Sequence, residues 1–452
     1  MTATYIIFIV IVAVALLLLM VLKFKLSAFV ALLITSIFVG ILAGMPLSGI
    51  SASIQKGMGD TLGFIATVVG LGAIFGQMLE SSGGAKSLAQ YLLKKFGADN
   101  APWALMLAGF IIGIPIFLDV GFIILIPIVY ALTRNSQRSI LYYAIPLLAG
   151  LAVTHAMVPP TPGSLAVANI LEADLGLVVL FGIIIGLPVA IIAGPVFGRF
   201  VSKKIIISAP PEVTQTENES AGHNHKVPSF GLIFLIILTP LLLILISTFV
   251  NLAIEKEVIA KTLFTDIVVF IGHPFTALII ATLWSILFCI KRGMPNQAVL
   301  DLSTKALGPA GIIILVTGAG GVLKQILVDS GIGNILAESI AESSVPLVLL
   351  AWIIAAVVRI TQGSATVAMI TAAGIMAPIL PAFNLGQPDI AIIVISIAAG
   401  ATILSHVNDS GFWIVSKYLG MNEKQTLQSW TVMETIIAVT GLLLCLLAST
   451  IF

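Results

Sequence analysis

The sequence predicts an all-α polytopic membrane protein made of two inverted-topology repeats, and three observations carry that prediction. The 452-residue chain is 59% hydrophobic and only 9% charged, whereas a soluble domain carries roughly 25% charged residues. Two apolar stretches, 101–133 and 346–382, are broken at mid-length by polar, turn-forming residues, and each is followed by a second broken span, at 139–173 and 388–420. Finally, GLGAIFGQMLESSG (70–83) is echoed by GAGGVLKQILVDSG (318–331) at a shift of 248 residues.

Apolar windows of ~20 residues mark spans near 4–22, 26–45, 61–80, 177–198, 229–250, 268–290, 308–328 and 428–450. With the two broken spans, this makes about ten transmembrane spans plus two candidate re-entrant hairpins. The run at 4–22 has no basic residue before it and no small-residue cleavage site, so it reads as a retained helix. Most basic residues, including Lys23, Lys94, Lys95, Arg134, Arg138, Arg199, Lys203, Lys204, Lys291 and Arg292, fall on one side. The positive-inside rule makes that side cytoplasmic and places both termini outside. A net charge of +1 gives no reason to expect a nucleic-acid partner. Cys289 and Cys445 lie near opposite faces in this topology, without metal-ligand spacing.

The hairpin assignments rest on length. Residues 101–112 and 122–133 would form helices of roughly 18 Å, short of the ~30 Å hydrocarbon. Lys94 and Lys95 flank one end of this segment, and Arg134 and Arg138 the other, so it enters and returns on the cytoplasmic side. The second hairpin is flanked by Glu338, Glu342 and Asp389, which places its opening outside. The repeats are then 1–200 and 229–452, joined by a cytoplasmic linker over 201–228. Its polar tract at 209–228 reads as disordered, and His223 and His225 there read as solvated loop.

Unwound backbone at bilayer depth is tolerated only where protein buries it or it lines an aqueous cavity. Paired breaks in corresponding halves are the pointer to a secondary transporter's binding site. FLDVG (117–121) puts Asp119 at the first hairpin tip. An intramembrane carboxylate is costly unless protonated, paired or hydrated, which suits a proton carrier; an N-cap for the returning helix is the structural alternative. THAMVPPTPGS (154–164) sets His155 beside a proline run that breaks the helix. His155 can accept a proton or bond an anion, while Thr161, Gly163 and Ser164 can open the next helix with free N–H groups.

QGSATVA (362–368) marks the second tip, where Gly363 permits the turn, Ser364 and Thr366 offer hydroxyls, and a helix N-terminus faces the cavity. Arg359 can pair with Asp119, with Asp409 or with a substrate carboxylate. SHVNDSGFW (405–413) packs Ser405, His406, Asn408, Asp409, Ser410 and Gly411 into an apolar span, and Trp413 is placed to wall a pocket. Asn408, Asp409 and Ser410 can bond sugar hydroxyls or a cation. Lys324, Gln77 and Glu434 are assigned structural roles.

These segments resemble the gluconate permease family of sugar-acid:proton symporters, essentially from end to end. The resemblance is carried by LGFIATVVGLGAIFGQMLESSGG, GIPIFLDVGFIILIPI, HAMVPPTPG, IGHPFTA (271–277), GAGGVLKQILVDSG, QGSATVA and SHVNDSGFW. It implies a carrier of the cytoplasmic (inner) membrane that imports gluconate or a related hydroxylated acid with a coupled proton, without cofactor or metal. The wider superfamily implies re-entrant hairpins in a transport domain that moves as an elevator against a dimerising scaffold, hence a homodimer. Family members often read FFEVG and PPHPGP where this chain has Asp119 and Thr161. These departures admit a shorter aldonate, such as a four-carbon acid.

In the mechanism expected from these residues, the carboxylate docks at 363–366 and 161–164 and the hydroxyls meet Asn408, Asp409 and Ser410. Asp119, with His155, carries the proton. Sodium coupling is the rival within transport, since Asn, Asp and Ser at broken helices also suit Na⁺, and an anion channel is a further alternative. A membrane-embedded hydrolase using His155 with Asp119 or Asp409 is less favoured, because neither GxSxG nor HExxH occurs.

Overall fold

The computed structural model describes residues 3–451 except 135, 137, 211–227, 334, 336 and 339–344. His223, His225, Glu342 and most of the linker tract lie outside the described residues. Within them the chain is helical, with no strand. Seven helical segments are long and apolar enough to cross a membrane, and several shorter apolar helices accompany them.

The chain opens with α1 (Ala3–Leu22) and α2 (Ala28–Leu42), followed by α3 (Leu47–Ser81). At 35 residues, α3 far outruns the span expected at 61–80. Its first half, LSGISASIQKGMGD, is too polar to read as a span but contains no proline to stop the helix. Its counterpart α14 (Asn296–Asp329) likewise exceeds the expected 308–328. The two long helices pack on each other. A side chain on Gly57 would meet the Gly321 carbonyl, and one on Gly321 would overlap Thr61, so small residues allow this close crossing.

Next come the amphipathic α4 (Gly84–Phe96), α5 (Ala101–Ile112) and α6 (Leu118–Arg134). The 101–133 stretch is therefore two helices joined at 113–117, each packed on α7 (Leu141–Met157). α6 starts four residues earlier than the expected 122, which puts Asp119 in its first turn. The proline run ends α7 and opens α8 (Pro162–Ile170); Pro159-Pro160 is cis. α9 (Leu175–Ile191) runs through a π turn at 192–196 into α10 (Phe197–Lys204).

After the linker, α11 (Phe230–Glu255) leads to α12 (Leu263–Gly272) and α13 (Pro274–Lys291). The expected span at 268–290 is divided at His273–Pro274. Proline cannot donate to the preceding turn, and the His273 ring accepts from the Phe275 N–H at 3.4 Å. Beyond α14, the 346–382 stretch is α15 (Leu347–Gln362) and α16 (Ala365–Met376), packed on each other. Gly363 sits between them at φ +84, a left-handed turn that glycine adopts without penalty. The second broken span is α17 (Gln387–Gly400) and α18 (Ser410–Leu419), separated by nine non-helical residues. α19 (Glu423–Thr426), a π turn at 427–431 and α20 (Val432–Ala448) close the chain.

Candidate substrate cavity

Four short helices, α6, α8, α16 and α18, all begin at the rim of one cavity of about 560 Å³. α6, α16 and α18 bring first-turn residues with free N–H groups to it, whereas α8 reaches it only through Pro162, which has no N–H. α6 supplies Leu118, Asp119 and Val120; α8 supplies Pro162; α16 supplies Ala365 and Thr366; α18 supplies Ser410 and Gly411. The wall is completed by His155 of α7, Arg359 and Gln362 of α15, and Pro309 and Ile313 of α14. Trp430 and Glu434 close it from the last span.

The most ordered polar feature is an ion pair. Arg359, only 4% exposed, donates from Nη2 to Asp409 Oδ2 at 2.6 Å and from Nη1 to the Gly363 carbonyl oxygen. Asp409 also accepts from Ser405 Oγ at 2.5 Å and, at Oδ1, from the Gly411 N–H at 3.0 Å, capping α18. Ser405 is held in turn by the Trp430 indole N–H at 2.6 Å and by the Thr431 hydroxyl, which donates to its carbonyl. Asn408 Nδ2 donates to the Ile360 and Thr361 carbonyls at 3.1 and 3.3 Å, and a His406 ring nitrogen lies 2.9 Å from the Ile360 carbonyl. The break at 401–409 thus caps the C-terminal end of α15, binding hairpin and broken span into one unit.

Several polar atoms at this wall lack partners. His155 Nδ1, Arg359 Nε and Gln362 Oε1 are buried without a hydrogen bond, three of the five such atoms among the described residues. Unpaired buried polar groups are costly, and these three belong to residues that line the cavity. The Thr366 and Ser410 hydroxyls also make no hydrogen bond within the described structure.

The structure gathers Asp119, His155, Arg359, Gly363, Ser364, Thr366, Asn408, Asp409 and Ser410 at this cavity. Thr161, Gly163, Ser164 and His406 lie off its wall. Thr161 and Ser164 are 4% and 0% exposed, and their hydroxyls bond each other at 2.8 Å behind Pro162. Gly163 packs on the Met369 thioether. Ser364 spends its hydroxyl as the N-cap of α16, accepting from the Val367 N–H at 3.4 Å. Asp119 makes no side-chain hydrogen bond within the described structure, so it is no cap for α6. Trp413 faces away, its indole bonded to the Val407 carbonyl, and Trp430 takes the wall position instead. Glu434, assigned a structural role from sequence, lines the cavity and is 3% exposed. Its signal was visible as a carboxylate in an apolar run. Lys324 pairs with Glu172 at 2.8 Å across a second cavity of about 760 Å³ between the Ser81-distal end of α3 and the Asp329 end of α14. Gln77 donates to Glu80 at 3.0 Å.

The model of the GntP family permease matches residues 5–451 of this chain. The chain belongs to the GntP permease family. This permease is 40% identical to a gluconate permease of Pseudomonas aeruginosa, over 94% of each chain. It is 39% identical to the low-affinity gluconate transporter of Escherichia coli K12, over 95% of this chain and 94% of that one. It is also 36% identical to the Gnt-II system L-idonate transporter of Escherichia coli K12, over 93% of each. Two solved structures share its fold at 15% identity. The YdaH transporter of Alcanivorax borkumensis superposes with a TM-score of 0.58 over 92% of this chain and 96% of the other. MtrF of Neisseria gonorrhoeae gives 0.61 over 87% and 83%. The protein is therefore a multi-pass membrane permease and not an enzyme.

Proposed function

We propose that this permease imports gluconate or a closely related aldonate with a coupled proton, through the cavity between α6, α8, α16 and α18. The observation that carries the reading is the convergence on one cavity of the N-termini of α6, α16 and α18 and of three residues with orphaned polar atoms, His155, Arg359 and Gln362. Its size lies within the ~300–1,000 Å³ of small-molecule sites. The N–H groups at the starts of α16 and α18, with Arg359 nearby, receive the carboxylate. Thr366, Ser410, Gln362 and His155 meet the hydroxyls.

Charge supports the coupled cation. The wall carries one arginine against three carboxylates, Asp119, Asp409 and Glu434. An anion added to that set is repelled unless a carboxylate is neutralised. Asp119, exposed and near His155, is the group we assign to carry the proton to and from water.

We further infer two inverted repeats, 1–200 and 229–452, and an elevator-type movement, from the level at which the two hairpin tips meet the long helices. The first tip packs on α3 near Gly72 and Gly76, where a methyl on Gly76 would overlap the Pro115 carbonyl. The second tip faces Pro309 and Ile313 of α14, which correspond to Thr61 and Ile65 of α3 at the 248-residue shift. The tips therefore engage non-equivalent levels about 11 residues apart, ~16 Å of helix. The first is displaced toward the Ser81 end of α3, on the Lys-rich side, whereas the second meets α14 near its middle, and Lys324–Glu172 lies toward the opposite side. An inner-membrane location, external termini and a homodimer about the long helices complete the proposal. The test is uptake of labelled gluconate into proteoliposomes. An inward proton gradient is expected to drive accumulation, sodium to be dispensable, and Asp119→Asn to remove accumulation while sparing exchange. Accumulation that needs sodium, or that Asp119→Asn leaves intact, contradicts the assignment.

A further inference from the structure

We propose that Glu434 is the carboxylate that holds the coupled proton against the bound anion, so that its protonation sets the affinity for substrate; this rests on the sugar-acid symport reading above. Glu434 lies in the first turn of α20, is 3% exposed and lines the cavity. Its side chain receives no hydrogen bond within the described structure; only its backbone carbonyl is engaged, by Thr402 Oγ1 at 3.4 Å. A buried carboxylate with no donor is poorly accommodated as an anion.

The charged groups within electrostatic reach are Arg359 of α15 and Asp409 at the start of α18. Those two are already engaged with each other, so Glu434 has no counter-ion of its own. The other elements packed on α20 supply little. α7 brings His155 to the same cavity and has Tyr142 and Tyr143 at its far end; α9 and the turn at 192–196 carry no titratable side chain. α17 has only Asp389, in its first turn, which accepts from the Gly386 N–H. The turn at 427–431 contributes Trp430, committed to Ser405.

With the Arg359–Asp409 pair neutral overall, an ionised Glu434 puts one negative charge beside the place where the substrate carboxylate lands. Protonation removes that charge and converts an acceptor into an O–H donor toward a substrate oxygen. Proton and anion then raise each other's affinity by the same factor, as linkage requires. Asp119, at the exposed rim, exchanges the proton with water, and Glu434 retains it while the substrate is bound.

The experiment measures gluconate binding to purified permease across the mildly acidic to mildly alkaline range, in wild type, Glu434→Gln, Glu434→Asp and Asp119→Asn. In wild type, affinity is expected to fall by about tenfold per pH unit once Glu434 ionises, the slope for one linked proton. Glu434→Gln is expected to bind with the acid-limb affinity at every pH, to exchange substrate, and to lose accumulation driven by a proton gradient. Glu434→Asp restores the slope, and Asp119→Asn keeps it. A Glu434→Gln protein with the wild-type slope and wild-type accumulation overturns the proposal. Should Glu434→Gln fail to fold, Glu434→Asp decides: a pH dependence whose onset shifts with the shortened carboxylate supports the assignment, and a profile superimposable on wild type overturns it. A wild type that binds no aldonate at any pH overturns the symport reading and this proposal together, whereas proton-linked wild-type binding with an unaltered glutamine variant overturns this proposal alone.

Discussion

Asp409→Asn is the substitution whose cost the geometry fixes best. The wild-type carboxylate takes three hydrogen bonds, from Arg359 at 2.6 Å, Ser405 at 2.5 Å and the Gly411 N–H at 3.0 Å. Asparagine keeps a carbonyl oxygen for the Gly411 cap but removes the counter-charge of an arginine that is 4% exposed. Breaking a buried pair from one side costs about 3–5 kcal/mol, because the remaining charge is left uncompensated. Glu434 stays within electrostatic reach of Arg359, so the lower end of that range applies. Replacing both partners, in Arg359→Gln/Asp409→Asn, removes the stranded charge and should cost less than the two single losses added together. The assay is thermal unfolding of the detergent-solubilised protein for the two single variants and the double. A large drop for Asp409→Asn with partial recovery in the double variant is expected. An Asp409→Asn protein that melts with wild type, or a double variant that loses the full sum, refutes the argument that this pair locks the second hairpin to the second broken span.

Further outcomes follow from the same geometry. Gly363→Val should abolish transport, because a side chain there would need φ +84 and would run into Asn408; normal uptake contradicts the turn as drawn. Gly76→Ala should disfavour the present arrangement by about 1–3 kcal/mol of overpacking against Pro115. Its readout is slower labelling of a cysteine placed at Gln362 by an impermeant thiol reagent applied from the Lys-rich face. Lys324→Gln should change thermal stability by less than about 1 kcal/mol, since its partner Glu172 is 80% exposed and such pairs contribute little.

The breaks that build the cavity were legible because their chemistry is local. Prolines 159, 160 and 162 clustered within four residues, Gly363 and the polar run at 405–411 interrupt an apolar helix, whereas single prolines such as Pro146 and Pro240 are carried inside one. Which face each residue then shows is a tertiary outcome. Thr161 and Ser164 sit at the break yet turn toward each other behind Pro162, and His406 and Asn408 are drawn to the open carbonyls at the end of α15. Glu434 and Trp430 come from a span with no break at their position, so only their chemical type could flag them. The lengths of α3 and α14 escaped hydropathy for the converse reason. Their polar halves, 47–60 and 296–307, are helical through packing on each other and on neighbouring helices rather than through apolar content.

Proton-driven accumulation of an aldonate through this cavity is tested most directly by simultaneous recording of labelled gluconate and internal pH in proteoliposomes. Substrate addition alone, with no imposed gradient and no sodium, is expected to acidify the lumen as gluconate enters, and Asp119→Asn to lose that acidification. Gluconate entry that leaves lumenal pH unchanged in the wild-type protein contradicts proton coupling.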